Sequence, residues 1–269
     1  DLVAVDLEGN LKWMRGLTLD YPNASNSLGM SSSPIIADNT LVAQVENDSE
    51  SFAAGFDLLT GVNRWKIERP KMANWTSPVT MQMDGREIVA LQSGKGVMGI
   101  SPSTGSELWN FSNGAATIPS GTAAGDTLII PSRGMTAVKP NPLGGEPISL
   151  WNQKTQKPAT ASPLIMADTI YFTNSAGVLT AADRKTGKRL WRLRMKGPFS
   201  GSPVACQNGH LYFFNEEGLG QVVDISGDIG EVVSEFDLGE TILATPSISR
   251  NSLYIRSDQT LWKFSAQKE

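Results

Sequence analysis

The stretch from Leu179 to Trp191, LTAADRKTGKRLW, contains the pattern from which the whole chain is built. Its first half alternates as a half-buried β-strand does, with Leu179 and Ala181 on one side and Thr180 on the other. The Thr-Gly pair that follows is typical of a tight turn, because glycine supplies the backbone freedom that the turn needs. Trp191 lies in a returning strand, and its indole is large enough to fill a gap between two sheets. The stretch therefore predicts a strand, a turn and a second strand.

The same pattern of a small residue, Asp or Ser, a turn glycine and a tryptophan occurs at residues 54–65, at 99–109 and, one residue shorter, at 4–13. Chance does not keep glycine and tryptophan in step in this way, so the chain is predicted to be an array. We expect the tryptophans and turn glycines to hold neighbouring repeats together; these residues are Trp13, Trp65, Trp109, Trp151, Trp191, Gly61, Gly105 and Gly187.

A second marker is a Ser-Pro or Thr-Pro pair followed by a short apolar run. Counting a degenerate copy at Ile118-Pro119-Ser120, consecutive prolines lie 40 to 44 residues apart; they are Pro34, Pro78, Pro119, Pro163, Pro203 and Pro246. A period of about 40 to 45 residues is typical of four-stranded propeller blades. Each unit accommodates four strands, and no helix of about ten or more residues is predicted. The sequence thus predicts an all-β protein, a single β-propeller domain over residues 1–269 with six visible repeats and an incomplete amino-terminal blade.

These repeats resemble the PQQ-repeat (tryptophan-docking) β-propellers. That family includes quinoprotein alcohol dehydrogenases and a periplasmic scaffold lipoprotein of the outer-membrane assembly machine. The resemblance covers nearly the whole chain and implies the fold. It leaves the activity open, because one propeller fold hosts many functions.

The number of blades is open on the sequence alone. The chain begins with a pair of strands that would end a blade, and its last unit has three predicted strands. Either the amino-terminal strands complete the last blade of a closed six-bladed ring, or the chain is part of an eight-bladed parent. We favour the second alternative, because simple closure has one strand too many. Since Asp1 lies within a strand-like phrase, we also expect an upstream segment that would carry any export signal.

Composition excludes several classes of function. The net charge of −4 and pI of about 5.2 give no basic surface, so nucleic acid is not an expected partner. No apolar run reaches the roughly 20 residues that span a bilayer. Cys206 is the only cysteine, which excludes a disulfide within the chain, and we expect it to be a small buried residue. His210 is the only histidine, and no nucleophile motif accompanies it.

Function is expected on the side of each blade that carries the irregular connections, because irregular loops on a rigid scaffold are where binding residues concentrate. Three connections are long or irregular: 14–33, 133–151 and 218–236. Trp75, Met30, Phe199 and Leu243 precede first strands. The ends of the second strands carry one polar residue each, and we expect all of these side chains to converge at a channel mouth; the polar residues are Glu46, Gln92, Arg133, Asn174, Glu216 and Arg256.

The favoured function is a non-catalytic PQQ-like propeller that acts as a binding or assembly scaffold through this loop-rich side. The resemblance implies that a quinoprotein enzyme would hold PQQ over a tryptophan and bind Ca²⁺ through carboxylate and amide oxygens. This chain has no cysteine pair and no recognisable Ca²⁺ motif, so neither PQQ nor Ca²⁺ nor any other metal is expected. The alternatives are a fragment of a PQQ-dependent dehydrogenase and a carbohydrate-binding propeller. We expect a monomer in the periplasm or outside the cell, with a protein or a small polar or carbohydrate ligand as partner.

Overall fold

The computed structural model describes residues 1–24 and 30–265, and β-strands dominate this part of the chain. It begins with a two-stranded antiparallel sheet, formed by β1 (Leu2–Val5) and β2 (Leu11–Arg15). A helix of four residues, α1 (Leu17–Asp20), follows and is the only helix among the described residues. The described segments therefore confirm the predicted all-β class.

Five four-stranded sheets follow in chain order. The first contains β3 (Ile35–Ala37), β4 (Thr40–Val45), β5 (Phe52–Asp57) and β6 (Asn63–Glu68). The second contains β7 (Val79–Met83), β8 (Arg86–Ser93), β9 (Gly96–Ile100) and β10 (Glu107–Phe111). The third contains β11 (Thr122–Ala124), β12 (Thr127–Pro131), β13 (Met135–Lys139) and β14 (Ile148–Gln153).

The fourth of these sheets contains β15 (Leu164–Met166), β16 (Thr169–Thr173), β17 (Val178–Asp183) and β18 (Arg189–Arg194). The fifth contains β19 (Val204–Ala205), β20 (His210–Phe214), β21 (Leu219–Asp224) and β22 (Glu231–Asp237). A three-stranded sheet of β23 (Ser247–Ser249), β24 (Ser252–Arg256) and β25 (Leu261–Ser265) comes last. In each sheet the strand order equals the chain order, so every sheet is a meander like those of propeller blades.

The register corrects one predicted marker. In the first four-stranded sheet, Ile35 directly follows the Ser-Pro pair and is paired with Val42. In the third sheet, Thr122 is the corresponding residue and is paired with Ile129. The degenerate copy of the marker is therefore Ser120-Gly121 and not Pro119-Ser120. Glycine replaces proline here, and the nearby proline misplaced the pattern by one residue.

Contacts divide the chain into two compact units, each described separately. The amino-terminal unit comprises Asp1–Ser132 and Ala137–Ser149, and the carboxy-terminal unit comprises Arg133–Thr136 and Leu150–Glu269. Both have apolar cores on the two faces of their inner strands, since β5 and β17 are buried at every residue except at one or both ends. The strand that begins the stretch from Leu179 to Trp191, predicted to be half-buried, is therefore buried on both faces. Phe52, Phe56 and Trp109 are among the largest buried side chains of the first unit, and Phe172 and Phe213 among those of the second. That the whole chain is one domain stays a prediction.

The connection at 14–33, predicted to be long, contains α1, and Leu17 of that helix is buried in the core of the first four-stranded sheet. Part of the polar run at 23–27 lies outside the described residues. Cys206 follows β19 and is half-buried, so it is less enclosed than the sequence predicts. It lies at the end of a sheet, where the polypeptide turns, and a turn covers its neighbours less than a central strand does.

Candidate functional site

The predicted polar residues of the channel mouth do not occupy one repeated position. The reference in each sheet is the second-strand residue that pairs with the first residue after the Ser/Thr-Pro or Ser-Gly marker. Relative to it, the offset is four residues for Glu46, Arg133 and Glu216, three for Asn174, and two for Gln92 and Arg256. Gln92 and Arg256 lie within their strands, whereas the other four residues follow the ends of theirs, so the predicted matching positions are not equivalent.

Glu46 is enclosed by the amino-terminal unit. Its side chain is fully buried and forms an ion pair with Arg69, whose Nε lies 2.7 Å from Oε1 and whose side chain is 3% exposed. Asn74 donates a hydrogen bond to the other oxygen, Oε2, at 3.0 Å. Burial raises the pKa of Glu46, and the charge and hydrogen bond of Arg69 act against that rise. The carboxylate is therefore part of a buried internal network.

Gln92 is also enclosed and bonded at both ends of its amide. Its Nε2 donates to the carbonyl oxygens of Ala116 at 2.7 Å and Pro119 at 2.9 Å, and its Oε1 accepts the backbone N–H of Gly121 at 2.8 Å. The side chain ties β8 to the connection between β10 and β11. Trp75 is half-buried, with its backbone N–H bonded to Thr117 O at 2.8 Å.

The predicted residues of the carboxy-terminal unit have varied surroundings. Asn174 shapes the turn between β16 and β17, because its Oδ1 accepts backbone N–H groups from Ala176 and Val178, each at 3.0 Å. Glu216 accepts a hydrogen bond from the Ser200 hydroxyl at 2.8 Å. The two arginines, Arg133 and Arg256, are exposed.

The apolar residues that were expected beside these polar side chains also differ in their exposure. Met30 and Leu243 are exposed, by 49% and 56%. Phe199, by contrast, is 5% exposed and packs against Phe213 with ring centroids 5.7 Å apart. Phe199 is thus a core residue of its unit, where it belongs to the same apolar cluster as Phe213.

Tryptophan side chains link consecutive sheets within the amino-terminal unit. Trp13 in β2 donates its indole N–H to Leu58 O at 2.8 Å, and Trp65 in β6 donates to Pro102 O at 2.8 Å. Each acceptor lies in the turn after the third strand of the following sheet, three residues before a glycine of positive φ. A Cβ would lie 2.6 Å from the indole of the preceding sheet at both of these glycines, Gly61 and Gly105.

The same contact recurs in the carboxy-terminal unit. Trp151 in β14 donates to Arg184 O at 2.9 Å, and a Cβ on Gly187 would lie 2.6 Å from its ring. Trp191 in β18 lies against Gly230, where a Cβ would approach to 2.5 Å. The repeat thus keeps glycine where an indole covers the turn, because any side chain there would collide with the ring.

Trp109 departs from this pattern. Its side chain is 1% exposed, and its indole nitrogen has no hydrogen-bond partner among the described residues. The following sheet carries an extended connection at 140–147 in place of the Thr-Gly turn, and Gly145 forms a backbone bridge with Trp109. The altered connection explains why the usual carbonyl is missing.

A second link between sheets runs through the Ser/Thr-Pro markers. The backbone N–H of Ser33 donates to Ser77 Oγ at 2.9 Å, and that of Ser77 donates to Ser120 Oγ at 3.0 Å. In the other unit, Ser202 accepts from Ser162 N–H at 2.9 Å and donates to Thr245 Oγ1 at 3.0 Å. The sequence shows the recurring hydroxyl, but its acceptor role depends on a neighbour about 40 residues away.

The oxygen atoms that Glu46 and Asn74 place near Trp75 do not fit a Ca²⁺ site. A calcium site requires several oxygen ligands that face the ion. Both oxygens of Glu46 already accept hydrogen bonds, and Asn74 Oδ1 accepts one from Thr76 Oγ1 at 3.1 Å. Within residues 1–24 and 30–265, no group of three or more His, Cys, Asp or Glu side chains could hold a metal ion. The aspartates of the Trp pattern bind turn backbone instead: Asp57 Oδ1 accepts Thr60 N–H at 3.0 Å.

The sequence of this chain matches the model of a known protein family. The family model described as "Outer membrane protein assembly factor BamB" matches residues 1–117, 100–199 and 175–268. None of the curated proteins matches the chain in sequence. In the described residues, no helix is long and apolar enough to cross a membrane.

Solved structures agree on the fold. BamB from Moraxella catarrhalis superposes with a TM-score of 0.69 at 15% identity, over 97% of this chain and 77% of that one. The β-propeller domain of Cps50 (Swd1) from Myceliophteria thermophila gives 0.63 at 11% identity, over 89% and 84%. BBS1N, solved in complex with ARL6DN, gives 0.65 at 14% identity, over 90% and 80%. Together with the family match, these likenesses confirm the predicted propeller class, and the chain belongs to the PQQ-repeat family of β-propellers whose model is described as outer membrane protein assembly factor BamB.

Proposed function

We propose that this chain is a non-catalytic scaffold that binds polypeptides during assembly of outer-membrane proteins. The observation that carries the proposal is the family match, which extends over residues 1–268 in three overlapping segments. The hydrogen bonds that the side-chain oxygens of Glu46 and Asn74 accept within the protein support it, because these oxygens are then not free to bind a cofactor cation. On this proposal the protein acts outside the cytoplasm, as a monomer, and without PQQ or Ca²⁺.

The proposed binding surface is the side that carries the connections between second and third strands and between successive sheets. In the amino-terminal unit this side presents exposed Leu19 of α1, 84% accessible, and Ile118, 49% accessible. Exposed apolar side chains on connections are suited to covering by a partner. Leu59, 86% accessible, lies in the turn between β5 and β6, on the opposite side of its sheet.

The test places a photo-reactive residue at Leu19 or, as the matched control, at Leu59 in the full chain. We expect Leu19 to form cross-linked adducts in cells with polypeptides of outer-membrane assembly, identified by mass spectrometry, while Leu59 does not. Adducts at Leu59 alone, or at neither position, would contradict the proposed surface.

A second measurement tests whether the protein is non-catalytic, as proposed. Purified protein is titrated with PQQ and Ca²⁺ and assayed for dye-linked oxidation of alcohols and sugars. We expect neither stoichiometric quinone absorbance nor turnover. Stoichiometric binding with oxidation would overturn the scaffold proposal in favour of a quinoprotein enzyme.

A further inference from the structure

The amino-terminal unit contains a cavity of about 400 Å³ beside the connection from β2 to β3. Its walls include apolar Leu2, Leu17 and Val45, and Met30 and Pro34 line it as well. A volume of this size lies within the range of small-ligand pockets. The cavity is large enough for one aromatic ring system with its attached chain.

Two of the lining residues each carry a buried polar atom that lacks a hydrogen-bond partner within the part of the chain that the structure describes: Gln44 Oε1 and Ser32 Oγ. Gln44 is 3% exposed, and its Nε2 donates to Gln92 O at 2.6 Å. Because that carbonyl can only accept, the amide orientation is set and Oε1 is the free end. Asn47 also lines the cavity, but its amide is hydrogen-bonded to the backbone of Ser49 and Glu50. The lack of a partner is therefore not common to all the polar side chains of the lining.

An unpartnered buried acceptor costs about 1–3 kcal/mol, and native structures rarely leave one without a ligand or water. Gln44 Oε1 requires a donor, whereas the Ser32 hydroxyl can donate or accept. Apart from exposed Asp1, the described lining residues are uncharged, which favours a neutral ligand. The Met30 thioether and the Pro34 ring offer surfaces that suit an aromatic ring.

We propose that this cavity binds a neutral aromatic side chain with one N–H or O–H donor, a tryptophan or tyrosine of a partner polypeptide. The proposal rests on the proposed polypeptide-binding function. Exposed Thr18 of α1 is one of its lining residues and is adjacent in sequence to exposed Leu19 of the proposed binding surface. A polypeptide that inserts its aromatic side chain could cover exposed Leu19 with its flanking residues.

The test is calorimetric titration of the full chain with N-acetyl-tryptophanamide and with the analogue methylated at the indole nitrogen. We expect one binding site with a Kd of about 1 mM for the first probe, as for an aromatic fragment. The methylated analogue should bind about tenfold more weakly, because it cannot donate to Gln44 Oε1. Ser32→Ala should weaken binding of the first probe without lowering the melting temperature, since the hydroxyl has no hydrogen-bond partner among the described residues.

Two further variants locate the site. Thr18→Trp places a bulky ring in the lining of the cavity and should abolish binding, whereas Leu59→Trp, the same change at an exposed site on the opposite side, should leave it unchanged. Equal affinity for both probes, no detectable binding, or binding unaffected by Thr18→Trp would overturn the proposal. Binding of free indole without binding of N-acetyl-tryptophanamide would also overturn it, in favour of a small aromatic molecule. Loss of the cavity proposal with Leu19 adducts intact would leave the scaffold function standing.

Discussion

Individual tryptophans in equivalent positions have unequal surroundings. Trp65 has its indole N–H bonded to Pro102 O at 2.8 Å, whereas Trp109 is more deeply buried and has an unpartnered indole nitrogen among the described residues. A recurring tryptophan in the sequence predicts the position in the repeat. It cannot predict whether a carbonyl meets the indole, because that depends on the turn of the next sheet.

This difference predicts unequal costs for the same substitution. Trp65→Phe removes a hydrogen bond and leaves Pro102 O without its indole donor. Trp109→Phe removes an indole N–H that has no acceptor among the described residues. We expect Trp65→Phe to cost about 1 kcal/mol more of the free energy of unfolding than Trp109→Phe does, after the similar loss of ring volume. Urea denaturation of both variants measures this difference. A larger cost for Trp109→Phe would show that its indole is satisfied in solution.

The buried ion pair offers a second comparison at the residue scale. Glu46→Ala leaves the Arg69 guanidinium buried without its carboxylate, so we expect a loss of about 3–5 kcal/mol. Replacing both partners, as Glu46→Leu with Arg69→Met, removes the unpaired charge and should recover most of that loss. Chemical denaturation of the single and double variants checks the order. If the double variant is as unstable as Glu46→Ala, the surrounding amides and not the charge pair determine stability.

At the scale of elements, a turn within one sheet can also pack against a tryptophan of the preceding sheet. The turn after β9 carries Gly105 at φ +73°, directly beneath the Trp65 ring, whereas the turn between β11 and β12 carries Gly125 at φ +63° with nothing within 4 Å of an added Cβ. Both glycines have the left-handed conformation. Only Gly105 also needs the absence of a side chain for packing.

Alanine substitution separates these two requirements. Gly125→Ala should cost about 1 kcal/mol of backbone strain alone. Gly105→Ala should cost that strain and displace the Trp65 indole from the turn, so we expect a total of about 3 kcal/mol. Thermal unfolding, with the fluorescence of the indole as a second signal, measures both variants. Equal melting temperatures would mean that the ring adjusts without loss.

The elements were largely predictable because their signals are local. Second strands such as Ile170-Tyr171-Phe172 and turns such as Thr186-Gly187 carry the residues that strands and turns prefer. The shift of the third marker to Ser120-Gly121 was not predictable, because strand register depends on pairing across the sheet.

At the scale of the molecule, carboxylates with lowered pKa values recur on the surfaces of both units. Hydrogen bonds from Arg64 and Thr60 lower the pKa of Asp57 to about 2, and those from Lys12 and Asn10 do the same for Asp6. Interactions with basic or polar partners also lower the pKa of others, namely Asp168, Asp224, Glu235 and Glu240. Glu46 is shifted in the opposite direction by burial.

These shifts predict a loss of stability in acid. A carboxyl group whose folded-state pKa is lowered contributes stability that is present above its ordinary pKa, about pH 4, and is lost as the pH falls toward 2. Asp57→Asn should therefore weaken the dependence of the urea midpoint on pH in this window. Asp126→Asn is the control, since among the described residues the Asp126 carboxylate accepts a hydrogen bond from the adjacent Thr127 hydroxyl alone. An unchanged pH dependence in Asp57→Asn would contradict the assignment.

The sequence by itself determined the repeat, the strands, the turns and the family, because each rests on residues within one unit of about 40 positions. Tertiary structure decided which predicted site residues are available. Glu46 and Gln92 read as polar residues at strand ends, yet both are enclosed by neighbours on other strands and connections. It also decided that Gln44 and Ser32, which carry no signal in the sequence, share a cavity with unpartnered polar atoms. The burial of a side chain and its hydrogen-bond partners depend on residues distant along the chain, so a local sequence pattern does not predict them.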